Sequence, residues 1–400
     1  MRCLVVTHKA LRRVAGSPIA YATDGGFPRQ MEALSYLFDS LVVAAPVYNA
    51  KSTGDALLVG QNLSVRPLGS LPSVLILRRL ALVWWLLIHL PRLLIEVWRA
   101  DVVHTPIPGD VGTIGMVLAW LLRKCLLVRH CGNWARTKTL AEHLWRWFIE
   151  ANAGGRRVMI VTGLSERAPS WNRNVRWCFA TSLWEREIAG LEVAGRRAPT
   201  EGRLCIATAC RQVKGKGVEA LIESVVFLRK DFPEVRVNVF GDGPERDAFQ
   251  RLAQELGVGS HVHFYGQIAQ KDLWARFREA DVFCLASSSE GFPKVVIEAM
   301  ACCLPVITSD LEVFRALTRG GGGISIKNVD GRSIAAAVRE CIRPGAYEHA
   351  CRAARVSAIG FSLEAWLEEI GTVMREQWAR YGYRRPNVSK AYSAHSRDAW

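Results

Sequence analysis

The sequence predicts an α/β protein built from two doubly wound, Rossmann-like domains. Three observations carry this reading. Four hundred residues suffice for two domains that each bury a core. Short β-branched runs alternate with helical segments along both halves, the pattern of βαβ units and of parallel sheets covered on both faces. A stretch rich in Gly and charge and without periodicity, residues 188–203, separates the halves.

In the first half, strands are expected at residues 2–6, 41–45, 101–104, 126–130 and 158–162, with a helix over 27–38. In the second half they are expected at 204–207, 235–240, 262–265, 282–285 and 305–308. Helices lie between them at 217–230, 244–256, 271–280 and 294–302. The domains are then 1–187 and 203–362. A long helical pattern follows over 363–381, and a polar, basic tail over 382–400.

Half of the residues are hydrophobic and 22% are charged, which excludes a disordered chain. The eleven cysteines form neither a Cys-x-x-Cys pair nor a zinc spacing, and several sit in apolar runs as small hydrophobes, a usage that fits a reducing compartment. The first residues read as a β-strand, with too short an apolar run for a signal peptide. Charge is uneven: residues 1–200 hold 25 Lys/Arg against 13 Asp/Glu, or +12, and residues 201–400 hold 27 against 24, or +3. A basic half of this kind implies an anionic partner such as a membrane surface or a phosphorylated acceptor, the alternative being a bias spread over the surface. No nucleic-acid recognition module is present in the pattern.

Residues 71–99 are apolar over 80–88 and include Trp84 and Trp85. Arg78, Arg79, His89, Pro91 and Arg92 interrupt the run before the roughly 20 residues a membrane span needs. Two readings stay open, a core helix of the first domain and an amphipathic helix at a membrane interface.

Ligands of open parallel sheets bind beyond the carboxyl ends of the strands. The richest stretch of that kind runs from Ala286 through Glu290-Gly291-Phe292-Pro293 to Glu298 and Thr308, as strand, polar turn, helix, strand. A helix starting near Pro293 turns free N–H groups toward an anion. Glu298 lies in an otherwise apolar helix, where a carboxylate needs hydrogen-bond donors: ribose or sugar hydroxyls, or an Arg or Lys of the protein. Arg211 and Lys216 follow a strand and precede a helix, placed to neutralise a diphosphate, or else forming a solvated basic loop. Gly241-Asp242-Gly243-Pro244 allows a tight turn, and Gly25-Gly26 ahead of the first helix allows backbone N–H groups to approach phosphate. His130 closes a strand.

Together these features resemble glycosyltransferase family 4, retaining enzymes of the GT-B fold, densely over residues 203–330 and more thinly over 1–180. The matching motifs are Gly25-Gly26, Arg211 with Lys216-Gly217, Gly241 to Pro244, Phe264-Tyr265-Gly266, and Glu290-Gly291-Phe292-Pro293 with Glu298 and Pro305. The resemblance implies a cleft between the domains and a C-terminal helix returning to the first domain. It implies that Arg211 and Lys216 hold the donor diphosphate, that Glu290 binds the transferred sugar and Glu298 the ribose. It further implies that Gly26 touches phosphate, that Gly266, Gly291, Phe292 and Pro293 line the donor, and that His130 stands near the donor sugar. The chain departs from the family at Cys303, where the helix usually ends in Gly, and at Ala316, where Glu is frequent. No Asp-x-Asp pair occurs, so departure of the nucleotide is expected to proceed without metal or other cofactor.

The expected function is hexosyl transfer from a nucleotide-diphosphate sugar to a lipid-linked or saccharide acceptor, with retention, in surface polysaccharide or glycolipid assembly. The expected location is cytoplasmic and peripheral, on the inner leaflet of the cell membrane. The alternatives are another GT-B enzyme, either an inverting transferase or a nucleotide-sugar epimerase, and a non-catalytic binder of anionic membranes.

Overall fold

The computed structural model describes residues 1–14, 20–48, 56–70, 75–132, 134, 137, 139–164, 170–191, 195–200 and 202–384, with side chains described from residue 82 onward in the 75–99 helix. The chain divides into two compact units, Met1–Ser182 with Trp366–Trp400, and Leu183–Ala365. The first crossing therefore precedes the Gly- and charge-rich stretch, whose residues belong to the second unit.

In chain order the N-terminal unit contains β1 (Arg2–Val6), β2 (Leu11–Arg13), β3 (Tyr21–Thr23), α1 (Phe27–Ser35), β4 (Ser40–Tyr48), β5 (Ala56–Leu57), β6 (Leu63–Leu68) and α2 (Leu75–Arg99). It continues with β7 (Val102–Ile107), α3 (Asp110–Leu121), β8 (Cys125–His130), α4 (Leu140–Asn152), β9 (Arg157–Thr162) and β10 (Val175–Cys178). Its parallel core runs in the order β10-β9-β8-β7-β1-β4, with β6 on the far side of β4. The expected strands are all present. The antiparallel pair β2–β3 is an addition, with Arg12 and Arg13 opposite Ala22 and Tyr21.

One face of this sheet carries α2, α3 and α4. Trp85, Leu93 and Val97 of α2, Met116 and Ala119 of α3 and Ile149 of α4 pack with Leu4, Val103, Leu126 and Met159 of the strands. The final helix, α13 (Leu363–Trp378), returns to this unit from Trp366 onward, as expected of the fold. Arg129, itself buried, stacks over the Trp366 ring at 5.4 Å and donates through Nη2 to Gln30 Oε1 at 2.8 Å, while Gln30 Nε2 donates to the Thr181 carbonyl. Trp366, Trp378 and Met374 are fully buried, so the helix is part of this unit's core.

The C-terminal unit contains α5 (Glu185–Gly190), β11 (Arg203–Ala209), α6 (Val218–Leu228), β12 (Glu234–Phe240), α7 (Arg246–Glu255), β13 (Val262–Gly266) and α8 (Gln270–Glu279). After these come β14 (Val282–Leu285), α9 (Lys294–Ala301), β15 (Val306–Ser309), α10 (Glu312–Thr318), β16 (Gly323–Ile326), α11 (Gly331–Cys341) and α12 (Ala346–Ile359). Its sheet is parallel throughout, in the order β13-β12-β11-β14-β15-β16. β12 alternates, its buried Val235, Val237 and Val239 lying between Glu234, Arg236 and Asn238, whereas β14 and β15 are buried at every position, as central strands of a sheet covered on both faces must be. The eleven cysteines are all free thiols.

Arg196 ties the entry segment to this unit. Its guanidinium donates to the carbonyls of Phe277, Arg278, Ala280 and Cys302, the last being the C-cap of α9 and the others the end of α8. Helix C-termini hold carbonyls without intrahelical partners and carry partial negative charge, so one planar cation closes both. We predict that Arg196→Ala destabilises the protein by about 2–3 kcal/mol, since charge-assisted bonds are lost and part-buried carbonyls are left unpaired. Arg196→Lys, a point charge without the fork, should recover only part of this. Urea unfolding measures both.

Candidate functional site

In the C-terminal unit the polar side chains singled out by the sequence stand at the carboxyl ends of β11 and β14 and on α9. After β11 the chain passes Arg211, which is exposed, and reaches Gly215 and Gly217, both with positive φ (83° and 77°). A side-chain carbon at Gly217 would lie 2.4 Å from the Ala286 carbonyl oxygen, so only glycine lets this loop approach the end of β14. The contact is reinforced by Ser288, whose backbone N–H donates to the Gly215 carbonyl at 2.8 Å. Gly217 is the N-cap of α6 and Pro293 that of α9, and neither start has a side-chain cap.

This juxtaposition brings Lys216 to Glu290. Lys216 Nζ donates to Glu290 Oε1 at 2.6 Å, and the two side chains are 23% and 13% exposed, enough burial that removing one partner would leave a partly dehydrated charge. Cys210 lies close to the pair. Burial raises its thiol to about 11, Lys216 pulls it down and Glu290 pushes it up, so it stays protonated.

Glu298 sits on the buried face of α9, and Gln270 Nε2, at the start of α8, donates to its Oε1 at 2.8 Å. This side-chain amide is a donor that the sequence did not anticipate for the carboxylate, where ribose or sugar hydroxyls or an Arg or Lys were expected. The sequence reading missed Gln270: helix α8, strand β14 and two loops separate it from Glu298, and nothing in the local pattern marks it. Gly266 ends β13 at φ 72°, buried, with Arg246 Nη1 3.1 Å from where a side-chain carbon would stand. Gly291 and Phe292 are half-buried, and the Phe292 ring lies 5.9 Å from that of Phe361. Gly241 and Gly243 serve the turn itself: added carbons would meet the carbonyl oxygens of Cys210 at 2.1 Å and Gln212 at 2.2 Å.

Cys303 takes the position where a glycine was expected. It has φ 58° and is buried, so α9 ends in a left-handed turn despite the side chain. Packing of the thiol into the core formed with Ile307 and Cys351 offsets the strain. Ala316 lies in α10.

In the N-terminal unit, Gly25 has φ 72° with open space around it, while Gly26 is the N-cap of α1 with an ordinary φ of −80°. Asp24, beside them, pairs with Lys9 Nζ at 2.6 Å, which holds its carboxyl below the usual range. His130 ends β8, is 3% exposed, has no hydrogen-bond partner on Nδ1 and meets the Trp134 ring edge-on at 5.3 Å. Burial depresses its pKa to about 4; Arg146 acts in the same direction and Glu142 against it. It is a neutral imidazole at neutral pH. Among the described residues no group of three or more His, Cys, Asp or Glu is placed to hold a metal ion.

The two parallel-sheet units with their returning helix define the GT-B class of fold. Residues 196–355, which lie in the C-terminal unit, match the family described as glycosyl transferases group 1. The chain is 35% identical over 107 residues to the phosphatidyl-myo-inositol mannosyltransferase of Mycobacterium leprae (strain TN), a match covering 26% of this chain and 28% of that one. It is 30% identical over 160 residues to the putative glycosyltransferase EpsD of Bacillus subtilis (strain 168), 40% and 42% of the two chains. It is 29% identical over 183 residues to the lipopolysaccharide core biosynthesis glycosyltransferase LpsE of Rhizobium meliloti (strain 1021), 45% and 52%. The match thus spans between about a quarter and a half of these curated relatives. Among solved structures, Anabaena Alr3699/HepE in complex with UDP has the same fold, with a TM-score of 0.65 at 15% identity over 94% of this chain and 100% of that one.

The state of His130 can be tested directly. Its unfolded form takes a proton near pH 6.5 and the folded form only near pH 4, so its contribution to folding is complete above about pH 6.5 and is lost as pH falls toward 4. The ring resonances of His130 should show no titration by NMR until well below pH 6, and His130→Gln should flatten that part of the stability curve. A midpoint near 6.5 would show the ring to be solvated.

Proposed function

We propose that the chain is a retaining glycosyltransferase that moves a hexose from a nucleotide-diphosphate sugar to a lipid-linked acceptor, in surface polysaccharide or glycolipid assembly, at the inner leaflet of the cell membrane. The observation that carries this reading is the Lys216–Glu290 pair at the carboxyl ends of β11 and β14, followed eight residues on by buried Glu298, inside the region that matches the glycosyl transferases group 1 family. Relatives named as phosphatidyl-myo-inositol mannosyltransferases and as a lipopolysaccharide core glycosyltransferase support a lipid-linked acceptor. The UDP in the structure of similar fold supports a nucleotide-bound donor. The resemblance to family 4 supports retention.

The chemistry follows from charge. Breaking the bond between the sugar and the diphosphate leaves negative charge on the departing oxygen. Arg211 and Lys216, with the uncapped N-terminal N–H groups of α6 and α9, supply positive potential there, so no metal is required. Glu290, held by Lys216, orients the sugar hydroxyls and is not cast as a covalent nucleophile. Glu298, fixed by Gln270, accepts from the ribose hydroxyls. Neutral His130 donates to or accepts from the sugar without carrying charge. The backbone N–H of Gly26 meets phosphate, and Gly25 lets the chain turn there.

Arg211→Ala and Lys216→Ala should each raise the barrier by about 3 kcal/mol while the fold persists, because both lie on a loop. Activity is expected to persist in EDTA, and a loss restored only by Mg²⁺ or Mn²⁺ would overturn the metal-free mechanism. Calorimetry with UDP and GDP separates the two acids. Glu298→Gln should weaken binding about tenfold. Glu290→Gln should hold or tighten it, since Lys216 then loses its competing anion, and yet turnover should fall. The reverse pattern would exchange the two roles.

A further inference from the structure

Helix α2 is apolar on two opposite sides. Trp85, His89, Leu93 and Val97 form the side that packs on the sheet, with Trp85 Nε1 donating to the Gly69 carbonyl at 2.7 Å. The other side is apolar too, and it faces solvent: Trp84 and Trp98 are each 67% exposed and Leu87 63%. A helix hydrophobic all round belongs in a core or against a second apolar medium. α2 has only one core.

The exposed side does not end with α2. Lys124 Nζ, just beyond α3, donates to the Trp98 carbonyl at 2.6 Å, which joins the ends of α2 and α3. Trp120 of α3 donates through Nε1 to Asn152 at 3.0 Å and meets the Phe148 ring edge-on at 6.2 Å, which joins α3 to α4. All three helices cover the same face of the sheet. Their outer surface therefore presents Trp84, Leu87, Trp98, Trp120, Leu121 and Trp147 as one apolar, tryptophan-rich layer, each of them exposed. A layer of this extent on an isolated unit marks an interaction surface.

The charges beside it select the partner. Arg92, Arg99 and Arg123 are exposed along its edge. The acid of α2, Glu96, is turned inward to Arg2 and Arg66. The acids of α4 are likewise engaged, Glu142 in the capping box of that helix and Glu150 by Arg146. A second copy of the chain laid on this face would bring like charges together. An anionic bilayer offers headgroup phosphates to the arginines and an acyl boundary to the rings, and tryptophan favours that depth. Pro91 and Arg92 stand inside α2, and among the described residues no helix is long and apolar enough to cross a membrane, so the helices lie along the surface. We infer that the outer face of α2, α3 and α4 is the surface by which this protein docks on an anionic phospholipid bilayer. The inference rests on the lipid-linked reading above and gives it a location. Arg78 and Arg79, which interrupt the apolar run in the sequence, have side chains outside the described residues.

The test is co-sedimentation of the full chain with vesicles of phosphatidylcholine alone and of phosphatidylcholine with phosphatidylglycerol. The wild type should bind the anionic vesicles, release as salt rises, and bind neutral ones weakly. Trp84→Ser with Trp98→Ser should lower the partition coefficient by about tenfold or more, with thermal melting unchanged because neither side chain is in the core. Val356→Ser, an equally exposed apolar site on α12, should bind as wild type. Arg99→Glu with Arg123→Glu should weaken binding to anionic vesicles only. Absence of wild-type binding at low salt, or wild-type binding by the tryptophan double variant, would overturn the inference. So would a dimer in light scattering that this variant splits, which would assign the face to a second copy. Nucleotide calorimetry on the same samples is independent: vesicle binding without UDP or GDP binding would defeat the transferase reading and leave the surface standing.

Discussion

Backbone meets backbone at the carboxyl end of the C-terminal sheet, at distances no side chain would survive. Gly241 lies on the Cys210 carbonyl, Gly243 on that of Gln212 and Gly217 on that of Ala286. These contacts let the loops after β11, β12 and β14 converge above a parallel sheet whose central strands β11 and β14 are largely buried. The sheet has no room for polar chemistry within it, so every polar group that can act is displaced to those loops and to the first turns of the helices that follow. The Lys216–Glu290 pair exists because Gly217 allows one loop to reach the other.

The N-terminal unit solves a similar problem with two different covers. On one face of its sheet, α1 and the returning α13 bury Arg129 between Gln30 and Trp366. Nε and Nη1 of that arginine have no hydrogen-bond partner, and the ring face takes up part of its charge. On the other face α2, α3 and α4 cover the strands and leave a second apolar surface outward. The same residue types, leucine and tryptophan, therefore mean core at Trp85 and Trp366 and surface at Trp84 and Trp98.

That ambiguity marks the limit of what the sequence discloses. Strands whose buried positions carry apolar, largely β-branched residues, such as β1, β12 and β14, are legible: β14 is buried throughout, and in β12 the buried valines alternate with Glu234, Arg236 and Asn238. The strands that escaped notice are short or carry breakers: β6 contains Pro67, β16 opens with Gly323, β10 has four residues, and β2, β3 and β5 have two or three each. The site residues were legible as a loop-and-helix pattern, but their partners were not. Gln270 and Lys9 act through tertiary contacts that periodicity does not encode. Residues 71–99 could be read as core or as interface because the helix has both faces, and only the exposed positions of Trp84, Leu87 and Trp98 separate them. Cys303 shows the converse case, in which a residue unfavourable for its conformation is held by packing.

The return of α13 to the first unit has a consequence for the order of events during synthesis. The N-terminal unit is not closed by its own first 182 residues. The tryptophans that complete it, Trp366 and Trp378, emerge after the whole second unit has been made. At bacterial or eukaryotic elongation rates the interval is roughly 10 to 40 s. Through that time the sheet face that will meet α13 stands open, with the Arg129 guanidinium exposed upon it. The half of the chain translated first thus has part of its core supplied by the residues made last, whereas the C-terminal unit is contiguous in sequence.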